Sequence, residues 1–441
     1  LPVRIRPSAV FLLSCSLCRN FSYLCALDLA KIMVDSGYLT HTFSNGIRLI
    51  HQPDGSQVAH LGVILNTGSR DETAAEHGIA HFIEHCIFKG TRRRKAYHVL
   101  SRMEDVGGEL NAYTTKEETA LYATFLSADY ARAADLLSDI LFRSVFPEKE
   151  LKREKEVIAE EINSYKDSPS ELIFDDFDEL VFDGHPIARN ILGTFESVRG
   201  FGREEIFRFM ENNYHTDQMV ISSVGNIPFK RLVHLAGRHF GEEPAKTRVH
   251  NRVQFSGYQP GERMVEKETF QTHCMIGNVA YDSNHPRRIV MILLNNLLGG
   301  QGMNSRLNLA LREREGMAYN IESSYNSFSD TGLFTVYFGT DNDNYDKALE
   351  VIYREFRLLR EKKLGTLQLS RAQRQLTGQL AIAGENHEDL MLTIGKTYLF
   401  YNQVDPFHVV YKKIEAVTAE QILEVANEIL DPARMSRLIY R

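Results

Sequence analysis

The sequence predicts a chain of mixed helices and strands that is built twice over. Two observations carry this. Short β-rich runs bounded by turn residues alternate with longer helical stretches. The second half also restates the first, segment by segment. The length of 441 residues leaves room for two or three domains.

Tyr38 to Gln52 reads as two strands around the Ser44-Asn45-Gly46 turn, Thr40 to Phe43 and then Ile47 to Ile50. Val58 to Asn66 is a further strand, ended by Thr67-Gly68-Ser69-Arg70. Thr73 to Ala80 is helix-compatible and leads into His81-Phe82-Ile83-Glu84-His85, with Lys89-Gly90 as the stop. Arg92 to Lys95 reads as a solvated basic loop. A helix over about Tyr97 to Val106 precedes Gly107-Gly108 and a hairpin: Glu109 to Thr115, a turn at Lys116-Glu117-Glu118, and Thr119 to Leu126 in return. Leu110 to Thr114 is either an ordinary internal strand or an exposed edge. As an edge it would let an extended peptide add as a strand. Asp129 to Phe142 is an amphipathic helix, and Pro147 opens a long helix over Glu148 to Tyr165. Pro186 to Gly193 is a loop, followed by a helix near Arg203 to Asn213 and a strand at Met219 to Val224. Phe240 to Arg263 has scattered Pro, Gly and charge without periodicity, so it is the linker.

The chemistry gathers at His81-Phe82-Ile83-Glu84-His85. On a helix His81, Glu84 and His85 share one face. Two neutral imidazoles at that spacing can hold one divalent metal, zinc before others. A glutamate one step away can take a proton from the attacking water. This is the H-x-x-E-H order, the reverse of H-E-x-x-H. Alone, the pentapeptide also fits an ordinary helix with solvated or core histidines. Glu154 and Glu161 are one heptad apart on one helix face. Such glutamates usually form a solvated face, yet a third metal ligand is needed and a carboxylate on a packed helix can supply it.

The repeat weighs on this choice. Asn342 to Leu349 resembles Ala128 to Asp135, and Ala416 to Ile422 with the strand Ser436 to Tyr440 mirrors Ser197 to Ile206 with Met219 to Val224. In the same register Ile83 to Gly90 matches Leu293 to Gly300. Then Met291 faces His81, Leu294 faces Glu84, Asn295 faces His85, Ala372 faces Glu154 and Gln379 faces Glu161. The second half keeps the helices and loses these residues as a set. Merely solvated charges have no reason to vanish together.

Composition sets outer limits. With 43% apolar and 25% charged residues the chain is an ordinary globular protein, and a net charge of -7 leaves no basic footprint for nucleic acid. No apolar run is long enough to cross a bilayer. Of five cysteines, Cys15, Cys18 and Cys25 lie near the start, while Cys86 and Cys274 stand alone, so a reducing compartment is expected. Cys86 reads as a small buried apolar residue rather than a ligand. Leu1 to Ile32 has three readings: a signal peptide, a basic transit segment, or an over-extended start with Met33 as the true first residue. The last is favoured, because a strand-like pattern begins soon after it.

From about Tyr38 to Arg441 the chain resembles the inverted-zincin peptidases of the pitrilysin type, peptidase family M16. It is similar to the shorter bacterial processing peptidases and to the β-subunit of the mitochondrial processing peptidase. The matching motifs are His81 to His85, Gly108 to Thr114, Glu154 to Glu161, Ile191 to Thr194, Ser305 to Leu307 and Leu311 to Tyr319.

The resemblance implies an α+β fold of two tandem homologous domains, each a mostly antiparallel sheet covered by helices. It divides the chain into an extension (1–32), a zinc-binding catalytic domain (33–245), a linker (246–262) and a homologous domain without zinc (263–441). It implies one zinc per chain, held by His81, His85 and Glu161, with Glu84 as general base and Glu154 orienting a ligand. Leu110, Asn111, Ala112 and Tyr113, on to Thr114, would pair with the substrate backbone. Arg312 and Tyr319 would grip the substrate carbonyl side. Two domains where relatives close four around a chamber imply a homodimer, with Arg312 and Tyr319 reaching the partner's zinc site. His77, in the upstream loop, fits no ligand of the family. The activity implied is a zinc endopeptidase acting on unfolded peptides or presequences. The expected location is cytoplasmic, or periplasmic or mitochondrial if residues 1–32 are a targeting segment. The rivals are a non-catalytic structural subunit of a related complex, against which the intact His81, Glu84, His85 and Glu161 argue, and a different metal hydrolase.

Overall fold

The computed structural model describes residues 37–267 and 269–441. The readings of residues 1–32, the start at Met33 and the first three cysteines lie outside the described residues. The first half runs β1 (Leu39–Thr42), β2 (Arg48–Pro53), β3 (Val58–Leu65), α1 (Ile79–Cys86), α2 (Ala96–Glu104), β4 (Glu109–Thr114) and β5 (Thr119–Leu126). It continues with α3 (Tyr130–Arg143), α4 (Glu148–Lys166), α5 (Pro169–Val181), α6 (Phe195–Gly200), α7 (Arg203–Asn213), β6 (Met219–Gly225) and α8 (Phe229–Phe240). The second half runs β7 (Glu262–Val265), β8 (Thr272–Ala280), α9 (Arg288–Gly299), β9 (Ala318–Ser327), β10 (Gly332–Thr340) and α10 (Tyr345–Glu361). It ends with α11 (Thr366–Gly384), α12 (His387–Tyr401), α13 (Phe407–Glu415), α14 (Ala419–Ile429) and β11 (Ser436–Tyr440).

The fold is α+β with two sheets, ordered β1-β2-β6-β3-β5-β4 and β7-β11-β8-β10-β9. Each is antiparallel except for one parallel pair, β2 with β6 and β7 with β11. The sheets therefore repeat one plan, the second having no counterpart of β1 among the described residues. The helices α4 and α11 are both 19 residues long. Aligning them end to end sets Glu154 against Ala372 and Glu161 against Gln379, the register read from the sequence. One register differs. The 3-10 turns Ser127–Asp129 and Asn342–Asn344 lead into α3 and α10, so Asn342 answers to Ser127 rather than Ala128.

The halves interlock by exchanging a helix. Ile173, Phe177 and Val181 of α5 bury their apolar stripe on the second sheet with Met275, Leu333, Tyr337, Leu438 and Tyr440. In return Met391, Ile394, Tyr398 and Leu399 of α12 bury on the first sheet with Ile50, Ile64, Val220 and Val224. Close approach demands glycine at both contacts. A Cβ on Gly277 would sit 2.8 Å from the Phe177 ring, and one on Gly395 would sit 2.6 Å from Ser222 Cβ. The Ser222 hydroxyl donates to the Met391 carbonyl at 2.6 Å, and Arg48 donates to the carbonyls of Tyr398 and Leu399 at 2.9 and 3.2 Å, closing the end of α12.

Two expectations are corrected. Thr73 to Ala80 is not one helix. Ala74–Glu76 is a single 3-10 turn, and Gly78, with φ of 92°, breaks the backbone before α1 starts at Ile79. The α5 helix, absent from the sequence reading, begins at Pro169 where proline suits a first turn. Among the described residues no helix is long and apolar enough to cross a membrane.

Candidate active site

The eight-residue α1 presents His81 and His85 on one side and buries Ile79, Phe82, Ile83 and Cys86 on the other. Its amino end is held by Glu72, whose carboxylate accepts from the backbone of Gly78 at 2.8 Å and of Ala80 at 2.9 Å. Helix α4 crosses it and brings Glu154 and Glu161 to the same place.

The His81 and His85 rings lie 4.6 Å apart between centroids. Glu161 Oε2 is 3.8 Å from His81 Nε2 and 3.5 Å from His85 Nε2. One donor atom from each of His81, His85 and Glu161 falls within 4.8 Å of the others, the one such group of three found among the described residues. Donors about 2.0–2.2 Å from a tetrahedral zinc sit roughly 3.4 Å from each other, close to these separations. Glu161 Oε2 is buried yet makes no hydrogen bond. A buried carboxylate oxygen left so is costly unless a cation satisfies it. The set of two histidines and one glutamate is that of catalytic zinc, leaving a fourth position open. The residues present therefore fit the metal.

Charge around the triad has clear causes. Burial, and then the neighbouring His85, pushes His81 well below the ordinary histidine value, leaving the neutral ring a metal needs. Burial also works to lower His85, but Glu154, Glu161 and Glu84 outweigh it and hold it above the ordinary value. Burial pushes Glu161 up to about 7, with His85 opposing and Glu84 adding. Glu84 is raised by burial against the opposition of His85 and Thr114. Glu154 Oε2 lies 3.4 Å from His85 Nδ1, and its Oε1 lies 2.8 Å from Lys89 Nζ. Burial would raise Glu154, but His85 and Lys89 bring it below the usual carboxylate range. It thus remains ionised and fixes the ring orientation of His85.

The remaining residues named from the sequence fall in two places. Leu110, Asn111, Ala112, Tyr113 and Thr114 form β4, half-buried and last in its sheet, so the strand is an edge. Arg312 and Tyr319 are exposed on the second half, Tyr319 at 78%. Neither makes a hydrogen bond or ion pair with the triad in its own chain. His77 is occupied elsewhere, its Nε2 3.0 Å from the Asn190 carbonyl. Cys86 and Cys274 are buried and unbridged. Where the second half mirrors the triad, Met291 and Asn295 are buried, and Asn295 donates to the Ser323 carbonyl at 3.3 Å. Sequence reading missed Glu72, Lys89 and Arg70. Each sits in a turn or helix end with no periodicity to mark it, and its partners are remote in the chain.

Comparison with known proteins bears on the same residues. Residues 48–195 match the family described as Insulinase (Peptidase family M16), and residues 200–376 match the Peptidase M16 inactive domain. The chain is 32% identical over 391 residues to the uncharacterized zinc protease YmxG of Bacillus subtilis, spanning 88% of this chain and 95% of that one. It is 32% identical over 397 residues to the uncharacterized zinc protease SCO5738 of Streptomyces coelicolor, with 88% and 86% covered. A protease of known structure from Helicobacter pylori shares the fold with a TM-score of 0.86 at 19% identity, covering 92% of this chain and 99% of that one.

Proposed function

The chain belongs to peptidase family M16, and on that premise we propose that it is a zinc-dependent endopeptidase that hydrolyses unfolded peptides. The observation that carries this is the convergence of His81, His85 and Glu161 donors within 4.8 Å, with Glu84 on the same helix. Zinc held there would lower the pKa of a water and polarise the scissile carbonyl. Glu84 takes the proton of the attacking water and delivers it to the leaving amine. Its raised proton affinity suits both steps. The peptide pairs with the outer edge of β4, the last strand of its sheet among the described residues, which ends at Thr114 beside Glu84. The match to an inactive domain runs over residues 200–376, from the end of the first half into the second, and holds none of the donor set. That match keeps a non-catalytic structural or partner subunit as the alternative, against which the intact donor set argues.

The exposure of Tyr319, at 78%, and of Arg312 supports a role for both at a site other than the triad of their own chain. A homodimer in which each copy supplies them to its partner's zinc site, where they stabilise the developing oxyanion, accounts for this exposure. The test is cleavage of an internally quenched peptide by wild type and Glu84→Gln. The variant is expected to keep its zinc and lose turnover. An active Glu84→Gln protein, free of wild-type enzyme, removes Glu84 from the role of base.

A further inference from the structure

Five residues between β3 and α1, Gly68 to Glu72, hold four different parts of the molecule. Ser69 N donates to the Thr115 carbonyl at 3.0 Å and Arg70 N to the Lys116 carbonyl at 2.8 Å, so this segment grips the tip of the β4–β5 hairpin. Gly68 lies so close that a Cβ would sit 2.4 Å from the Thr115 carbonyl oxygen. The Arg70 side chain, 1% exposed, donates to Glu117 at 2.6 Å in that same tip. It also reaches both carboxylate oxygens of Asp330 at 2.7 Å and the Val253 carbonyl at 2.6 Å. Asp330 belongs to the β9–β10 turn of the second half, and Val253 to the linker. Glu117 meanwhile accepts from Ser329 N at 2.9 Å and Ser329 Oγ at 2.6 Å. Next in the chain, Asp71 binds Arg248 and Arg252 of the linker, and Glu72 holds the start of the histidine helix. On the hairpin itself Glu118 meets Lys396 of α12 at 2.8 Å.

The two hairpin tips, one from each half, therefore meet across a buried guanidinium. An edge strand is paired on one side only and opens more readily than an internal one. Strand addition works only while the edge presents its backbone groups in fixed register. β4 is such an edge, and its tip is where the second half takes hold.

We propose that the second half serves catalysis by locking this edge. Arg70, clamped by Asp330, is a positioning residue that fixes the β4–β5 hairpin against the histidine helix so that an incoming peptide lines up with Glu84. The claim about the reaction rests on the peptidase reading above; the claim about the hairpin does not.

The experiment compares wild type, Arg70→Lys and Asp330→Asn by amide hydrogen exchange of the full zinc-loaded protein, together with zinc affinity and peptide kinetics. Arg70→Lys keeps the charge but loses the two-pronged grip on Asp330. In both variants exchange at Glu109 to Leu126 should rise about tenfold or more, while Ile79 to Cys86 and zinc affinity stay as in wild type. For a peptide long enough to run along the six residues of β4, kcat/KM should fall about tenfold, mainly through KM. A short substrate covering only the bonds beside Glu84 should change by less than about twofold. Unchanged hairpin exchange overturns the proposal, as does acceleration spread evenly over both sheets. If wild type cleaves neither peptide, the peptidase reading fails while the exchange result still decides the hairpin claim.

Discussion

Replacing Phe177 by Ala tests the exchange of helices between the halves. Phe177 lies on α5 in the first half, but its ring is fully buried against the second sheet and rests on Gly277. Deleting a buried phenylalanine ring costs about 3–5 kcal/mol, the sum of lost transfer energy and the cavity left behind. The upper part of that range applies here. Gly277 has no side chain to move into the gap, and Phe334 O would stand 2.3 Å from any Cβ placed there. At about 2.1 cal/mol/K of unfolding entropy per residue, two interlocked halves of about 400 residues lose about 1 °C of Tm per kcal/mol, so a fall of roughly 5 °C is expected. Scanning calorimetry reads the fall, and amide exchange locates it. Exchange should rise in Thr272–Ala280 and Gly332–Thr340, far from residue 177 in sequence. Loosening confined to the first sheet, with the second unchanged, refutes the interlocked account.

Asp71→Asn should remove an acid-sensitive clamp. Burial raises the Asp71 carboxyl, but Arg252 and Arg248 outweigh it and hold it below its ordinary value of 3.8. A depressed folded pKa gives stability present above pH 3.8 and lost as pH falls below it. The variant should lose that pH dependence and, with buried Arg252 left only the longer contact to Glu117 at 3.5 Å and two backbone carbonyls, up to about 3 kcal/mol at neutral pH, read from urea midpoints across pH. Glu154→Gln should weaken zinc binding by about 10- to 100-fold, measured by chelator competition, because His85 loses the carboxylate that orients it. Mixing inactive Glu84→Gln and Tyr319→Phe chains should restore up to about a quarter of wild-type activity if Tyr319 acts on the partner copy. No recovery after subunit exchange places Tyr319 outside that role.

Much of the site could be read from the sequence because it lies on regular elements. Two histidines four apart and two glutamates seven apart announce themselves by helix geometry, and the loss of all four in the repeat ties them together. The hairpin over Glu109 to Leu126 was legible from its β-rich runs and polar turn. What escaped depends on contacts distant in the chain. Ile173, Phe177 and Val181 recur every four residues, yet nothing local says that their partner is the other half's sheet. The early break at Gly78 was hidden because Thr73 to Ala80 has adequate helix propensity, and only the left-handed glycine reveals it. Arg70 sits in what reads as a strand-ending turn. Its importance comes from Asp330, 260 positions away.

The most direct test is metal content and peptide cleavage on one purified sample, with Glu84→Gln beside wild type. About one zinc per chain is expected in both proteins, with cleavage in wild type alone. Absence of zinc from protein purified without chelator, or zinc that survives replacement of His81, His85 and Glu161 together, contradicts this site assignment.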